Sequence, residues 1–174
     1  MNTASDPHIF VKELPIMEGF SSCSVIKSIL ERDQMLVYKG CGTSMLPMLH
    51  PDRDMIVFVP AKERLKKYDV ALYTSGKKYI AHRVIQVTEG GYLIRGDNTY
   101  VMETVAEEDV IGVLTHFVRN GRQYPVSHKG YRIYSCLWCT LFPVRLVWRK
   151  GIHWGKWVLR KLGITPLVKR LLKI

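Results

Sequence analysis

Between residues 54 and 121 the chain repeats one pattern: a short run of β-branched and aromatic residues, then a turn. The turn Pro51-Asp52-Arg53-Asp54 precedes a first run over 54–59, and a second over 69–73 ends at Ser75-Gly76. A third over 78–87 sets Ile80, His82 and Val84 on one face, because alternate residues of a strand share a side. Gly90-Gly91 then leads into Tyr92-Leu93-Ile94-Arg95, which ends at Gly96-Asp97-Asn98. The last run, 110–119, is closed by Asn120-Gly121, a strong hairpin signal. Several short strands joined mostly by tight turns predict a mainly β, antiparallel domain.

The flanks read differently. Residues 1–22 show no clear pattern, and an irregular lead-in is expected there. Val25, Ile26, Ile29 and Leu30 recur at helical spacing and predict a short amphipathic helix over 23–34. A strand over 35–39 should follow, and the charged spacer 62–67 should be a solvated face. Charge separates the chain further: half of its 26 Lys and Arg lie at or beyond Arg119, where there is no Asp or Glu. The expected organisation is a lead-in with its helix (1–36), a nearly neutral β domain (37–126) and a basic, Trp-rich tail (127–174).

The strand over 35–39 delivers Gly40-Cys41-Gly42-Thr43-Ser44-Met45-Leu46-Pro47. Glycines let the backbone bend tightly and let another chain come close, while Pro47 fixes its own φ and biases Leu46 toward extended backbone. Such a setting suits an exposed serine hydroxyl, although a serine in an ordinary surface loop has the same residues around it. His82 reads either as a half-buried strand histidine bonded to a carbonyl or as a general base. Asp97 reads either as an Asx-turn ending a strand or as the carboxylate that orients an imidazole. Together Ser44, His82 and Asp97 supply nucleophile, base and orienting acid for acyl transfer. Cys41 is an alternative nucleophile.

Here the chain resembles a known family. Gly42-Thr43-Ser44-Met45-Leu46-Pro47 is similar to the Ser-Met-x-Pro box of type I signal peptidases, and Tyr68-Asp69-Val70-Ala71-Leu72-Tyr73 to their following Gly-Asp-Val strand. Ala81-His82-Arg83-Val84-Ile85 and Gly96-Asp97-Asn98 resemble the base and acid boxes of the branch that uses histidine instead of lysine, the endoplasmic-reticulum and Gram-positive type. Asp109-Val110-Ile111-Gly112-Val113 resembles the strand that closes the domain, so the likeness covers residues 38–119.

The resemblance implies a signal-peptidase-like antiparallel β domain and a serine endopeptidase that cuts a signal or leader peptide after small residues. Ser44 would attack the peptide carbonyl, His82 would be the base and Asp97 its partner. The Ser44 N–H, with Thr43 and Met45 beside it, would line the oxyanion hole and substrate pocket. Three departures follow from the residues. Gly42 stands where the family often has a hydroxyl donor. Glu103 lies near the place of a second aspartate and is a longer-armed supporting acid. The usual N-terminal membrane anchor is not seen.

No stretch reaches the roughly 18 uninterrupted apolar residues of a spanning helix. Attachment to a membrane is therefore expected through the C-terminal region. Residues 154–162 and 165–173 are amphipathic, with Trp157, Val158 and Leu162 opposing Lys156 and Arg160, and Leu167, Val168, Leu171 and Leu172 opposing Lys169, Arg170 and Lys173. Trp138, Trp148, Trp154 and Trp157 suit a lipid interface, and the basic residues suit anionic headgroups. The alternative is that these apolar faces cover the catalytic sheet. Nucleic acid is disfavoured for want of a recognisable binding fold. The expected partners are a peptide or preprotein and an anionic membrane surface, with peripheral location at the cytoplasmic membrane and no metal or cofactor.

Cys23, Cys41, Cys136 and Cys139 are too few and scattered for a disulfide framework, and free thiols are expected, with Cys136 and Cys139 buried in an apolar turn. Two other classes stay open. One is a non-catalytic peptide- or membrane-binding domain on the same fold. The other is a LexA-like self-cleaving regulator, against which His82 counts because that group uses a lysine base.

Overall fold

The computed structural model describes residues 17–18, 23–40, 42–76, 78–148 and 161. Nine strands form one sheet: β1 (Met17–Glu18), β2 (Leu36–Lys39), β3 (Asp54–Pro60), β4 (Val70–Ser75), β5 (Lys78–Thr88), β6 (Gly91–Arg95), β7 (Glu103–Ala106), β8 (Val110–Arg119) and β9 (Arg122–Pro125). Their order is β1-β2-β3-β8-β4-β5-β6-β7, with β9 also on β8. Every pairing is antiparallel except β1 with β2. The domain is thus mainly β and antiparallel, as expected. Strands β1, β7 and β9 were not expected.

The sheet buries residues on both sides. Val70 and Leu72 of β4 join Ile56, Phe58 and Leu114 in one core, whereas Ala71 and Tyr73 join Val84, Tyr92 and Ile94 in another. This is the two-residue period of a strand with neither face in water. Helix α1 (Cys23–Asp33) covers the first core with Ile26 and Leu30, one turn apart. It stops at Gln34, whose φ of 54° is the left-handed value common just past a helix end. The expected Asn-Gly hairpin joins β8 to β9, with φ positive at both Asn120 and Gly121.

One clamp fixes the segment that follows Ser44. Asp54, fully buried at the start of β3, accepts from Arg119 Nε at 2.9 Å and Nη2 at 2.8 Å, and from the His50 N–H at 2.9 Å. Arg119 also donates to the Met48 carbonyl at 2.7 Å. Burial alone would raise the Asp54 carboxyl, but Arg119, Arg53 and the His50 N–H override it and hold it at about 2.

The chain divides into two compact units, Met1–Ser135 and Cys136–Ile174. The first therefore includes residues 127–135, expected at the head of the tail. The reason is Arg83, which binds Tyr131 and Ser135 of α2 (Lys129–Thr140). In the second unit the chain stays helical over 142–148, with the Arg145 N–H donating to the Leu141 carbonyl at 3.0 Å. Arg145 lies 3.7 Å from the centre of the Trp138 ring. Cys136 and Cys139 are free and sit on α2, with Cys136 exposed, rather than buried in a turn. Cys41 and the amphipathic segments expected over 154–162 and 165–173 lie outside the described residues, save Lys161.

Candidate active site

Ser44 and His82 line one cavity of about 300 Å³. Its other walls are largely apolar and include Leu36, Met45, Ile56, Ile80 and Ala81. Ser44 stands in the turn after β2, and the approach depends on Gly42, whose φ of +90° favours glycine. The Leu46–Pro47 peptide is cis.

The loop after β6 is laced onto this turn. The Asn98 N–H donates to the Ser44 carbonyl at 2.7 Å, and Asn98 Nδ2 to the Thr43 carbonyl at 3.2 Å. Gly96 sits between the two halves of the site. A Cβ there would lie 2.8 Å from the Ser44 carbonyl oxygen and 3.0 Å from His82 Nε2. Only a residue without a side chain lets the histidine and the serine turn come this close. Ser44 Oγ makes no hydrogen bond among the described residues, and neither does the Ser44 N–H. Met45 is buried and lines the cavity. Thr43 is exposed and is not part of the wall. Its carbonyl accepts from the Leu46 N–H and from Asn98 Nδ2.

His82 is the buried centre of the arrangement. In the β4–β5 register it is opposite Ala71, so Tyr73, two residues on, stands diagonal to it on the same face. Tyr73 Oη lies 3.1 Å from His82 Nδ1 and donates to Glu103 Oε2 at 2.8 Å. Glu103 Oε1 is 3.6 Å from the same ring nitrogen. A phenol has one proton. Burial, then Glu103, pushes Tyr73 far above its ordinary pKa, so that proton stays on the oxygen and goes to the carboxylate. The remaining lone pair faces Nδ1, which must then be the protonated nitrogen. Nε2 keeps its lone pair on the side of Gly96 and Ser44. Burial lowers the His82 pKa, opposed by the charges of Glu103 and Asp97, so the ring is neutral at neutral pH.

Asp97 does not hold the imidazole as expected. Arg83, the next residue along β5, projects to the other side and takes both carboxylate oxygens, from Nε at 2.7 Å and Nη2 at 2.6 Å. Arg83 Nη1 adds the Tyr68 carbonyl, Tyr131 Oη and Ser135 Oγ. Burial opposes the charge on Arg83, yet the bonds to Asp97 outweigh it and raise its pKa. Asp97 therefore acts on His82 through its charge and by anchoring the Gly96 loop. Tyr73 and Glu103 do the contacting. Glu103 was legible as a longer-armed acid; Tyr73 and Arg83 were not, because each needs the strand register to be seen.

Among the described residues no group of His, Cys, Asp and Glu is placed to hold a metal ion. Comparison of the chain with family models, with curated proteins and with solved structures finds no match.

Proposed function

We propose that the chain is a serine endopeptidase, similar to type I signal peptidases of the histidine-base branch, which cuts a signal or leader peptide after small residues. Ser44 Oγ attacks the carbonyl carbon and gives its proton to His82 Nε2. The Ser44 N–H donates to the oxyanion of the tetrahedral intermediate. The imidazolium returns the proton to the leaving amine, and water then hydrolyses the acyl-serine by the same route. The walls formed by Met45, Ile80 and Ala81 admit small side chains. Peripheral attachment to an anionic membrane at the cytoplasmic face or its opposite accompanies this reading, on the strength of the basic tail.

The observation that carries it is the approach at Gly96: His82 Nε2 and the Ser44 backbone face the same missing side chain, on one cavity wall. A second reading, a binding domain with an idle site, draws on Ser44 Oγ lacking a hydrogen bond. Serine–base contacts often tighten only with substrate in place, so that observation does not decide against catalysis. Peptides with alanine at the scissile position, incubated with wild type, Ser44→Ala and His82→Ala, separate the two. Cleavage by wild type alone supports the peptidase. Retained peptide binding with equal silence from all three would leave the binding domain.

A further inference from the structure

The second unit carries a feature that catalysis does not use. Leu137, Leu141, Val144, Val147 and Trp148 are 54%, 49%, 58%, 71% and 70% exposed. At 100° per residue, Leu137, Leu141, Val144 and Trp148 fall within one narrow arc of the helix, and Val147 flanks it. Scattered exposed leucines need no partner, but a continuous stripe of this kind marks a contact surface.

We propose that this stripe inserts into the interfacial layer of an anionic lipid membrane, with the helix lying in the membrane plane. The helical run over 129–148 carries Lys129, Arg132 and Arg145 and is broken by a turn at Leu141, so the segment lies along the surface and does not cross it. No described helix is long and apolar enough to cross. The occupant has to be apolar toward the stripe and negative around it, because residues 136–174 hold nine Lys and Arg and no Asp or Glu. An anionic bilayer supplies both at once. Trp148, at the end of the stripe, has the amphipathic ring that settles at headgroup level. Arg145 lies at the stripe's flank, its guanidinium 3.7 Å from the centre of the Trp138 ring and donating to the Trp138 carbonyl, so its stem covers apolar surface there.

This deepens the membrane attachment proposed above and is independent of the chemistry at Ser44. The test is flotation of the full chain with phosphatidylcholine vesicles, with and without phosphatidylglycerol. It compares wild type with Leu141→Ser/Val144→Ser, which removes insertion without altering charge, and with Ser44→Ala. Wild type and Ser44→Ala should float with the anionic vesicles, and the double variant should bind at least about tenfold more weakly. Trp148 should be quenched by brominated acyl chains, with the quenching lost in Trp148→Phe. If the double variant floats like wild type and Trp148 is not quenched, the stripe is not the insertion face and any attachment belongs to the remaining basic tail. If wild type does not float but self-associates through the stripe in a way the double variant abolishes, the surface is a protein interface and the proposal falls.

Discussion

Replacing Tyr73 by phenylalanine removes one oxygen from the core and tests the whole proton path. In the native site Tyr73 Oη stands 3.1 Å from His82 Nδ1 and 2.8 Å from Glu103 Oε2, whereas Glu103 itself is 3.6 Å from the ring. Without the hydroxyl, the Nδ1–H is left buried with no acceptor at hydrogen-bond distance. Such a loss costs about 1–3 kcal/mol. The tautomer that leaves Nε2 unprotonated is disfavoured by that amount, so kcat should fall about 5- to 150-fold. Tyr73 does not line the cavity, so KM should hardly move. The pH profile gives a second readout. The base works when deprotonated, so the rate rises with pH through the His82 pKa, which lies below 6.5. Glu103→Gln removes the largest influence that raises that pKa, and its acidic limb should shift to lower pH while kcat falls. Tyr73→Phe keeps the Glu103 charge and should leave the limb near its wild-type place. Steady-state kinetics on a fluorogenic alanine-site peptide across the acid range measures both. An unchanged kcat in Tyr73→Phe would refute the tautomer argument.

Three further outcomes follow from the same geometry. Gly96→Ala should lower kcat/KM by about 10- to 100-fold and also lower the melting temperature, since overpacking a buried site costs about 1–3 kcal/mol. Its Cβ would be 2.8 Å from the Ser44 carbonyl and must push serine and histidine apart. Asp97→Asn should destabilise the fold by about 3–5 kcal/mol in urea unfolding, because the Arg83 charge would remain buried without its counter-ion; a loss of activity without a loss of stability would show Asp97 acting on His82 directly. Asp54, held at about 2 against an ordinary 3.8, contributes stability that is complete above pH ~4 and disappears as pH falls through about 2. That is about 2 kcal/mol, and Asp54→Asn should unfold with a flatter acid dependence if Arg119 is its cause.

What could be read from residues alone was what depends on local pattern. The strands β2 to β6 and β8 carry alternating or continuous apolar residues, and their turns carry Gly, Asn and Asp, so both signals agreed. Strand β9 buries none of its residues and β7 only Val105, so hydrophobic period had nothing to detect there. These two are held by backbone pairing to β8 and β6, which no local window reports. The site divides in the same way. Ser44 was marked by its glycines and proline, and His82 and Asp97 by their short boxes. The imidazole's contact is Tyr73 and not Asp97, because Arg83 takes both Asp97 oxygens. An arginine between His82 and Val84 looks like an outward strand residue. It is instead fully buried, and its acceptors lie as far away in sequence as Ser135.

Arg83 also explains why two carboxylates near one histidine have separate duties. An acid that oriented His82 directly and also neutralised a buried guanidinium would have its oxygens contested, and the stronger bidentate pair would win. In this fold Arg83 takes Asp97, and that pair fixes the Gly96 loop beside His82 Nε2 and the Ser44 carbonyl. The Nδ1 side is left to Tyr73, a neutral group that passes the influence of Glu103 without placing a full charge at hydrogen-bond distance from the ring. On the proposed peptidase reading, His82 is a base whose pKa burial lowers, with Glu103 3.6 Å away as counter-charge once it accepts the serine proton. An arrangement with Asp97 against Nδ1 would stabilise the imidazolium before reaction and slow proton uptake at low pH. The division between Asp97 for position and Tyr73–Glu103 for the proton is what lets one short stretch of β5 serve both.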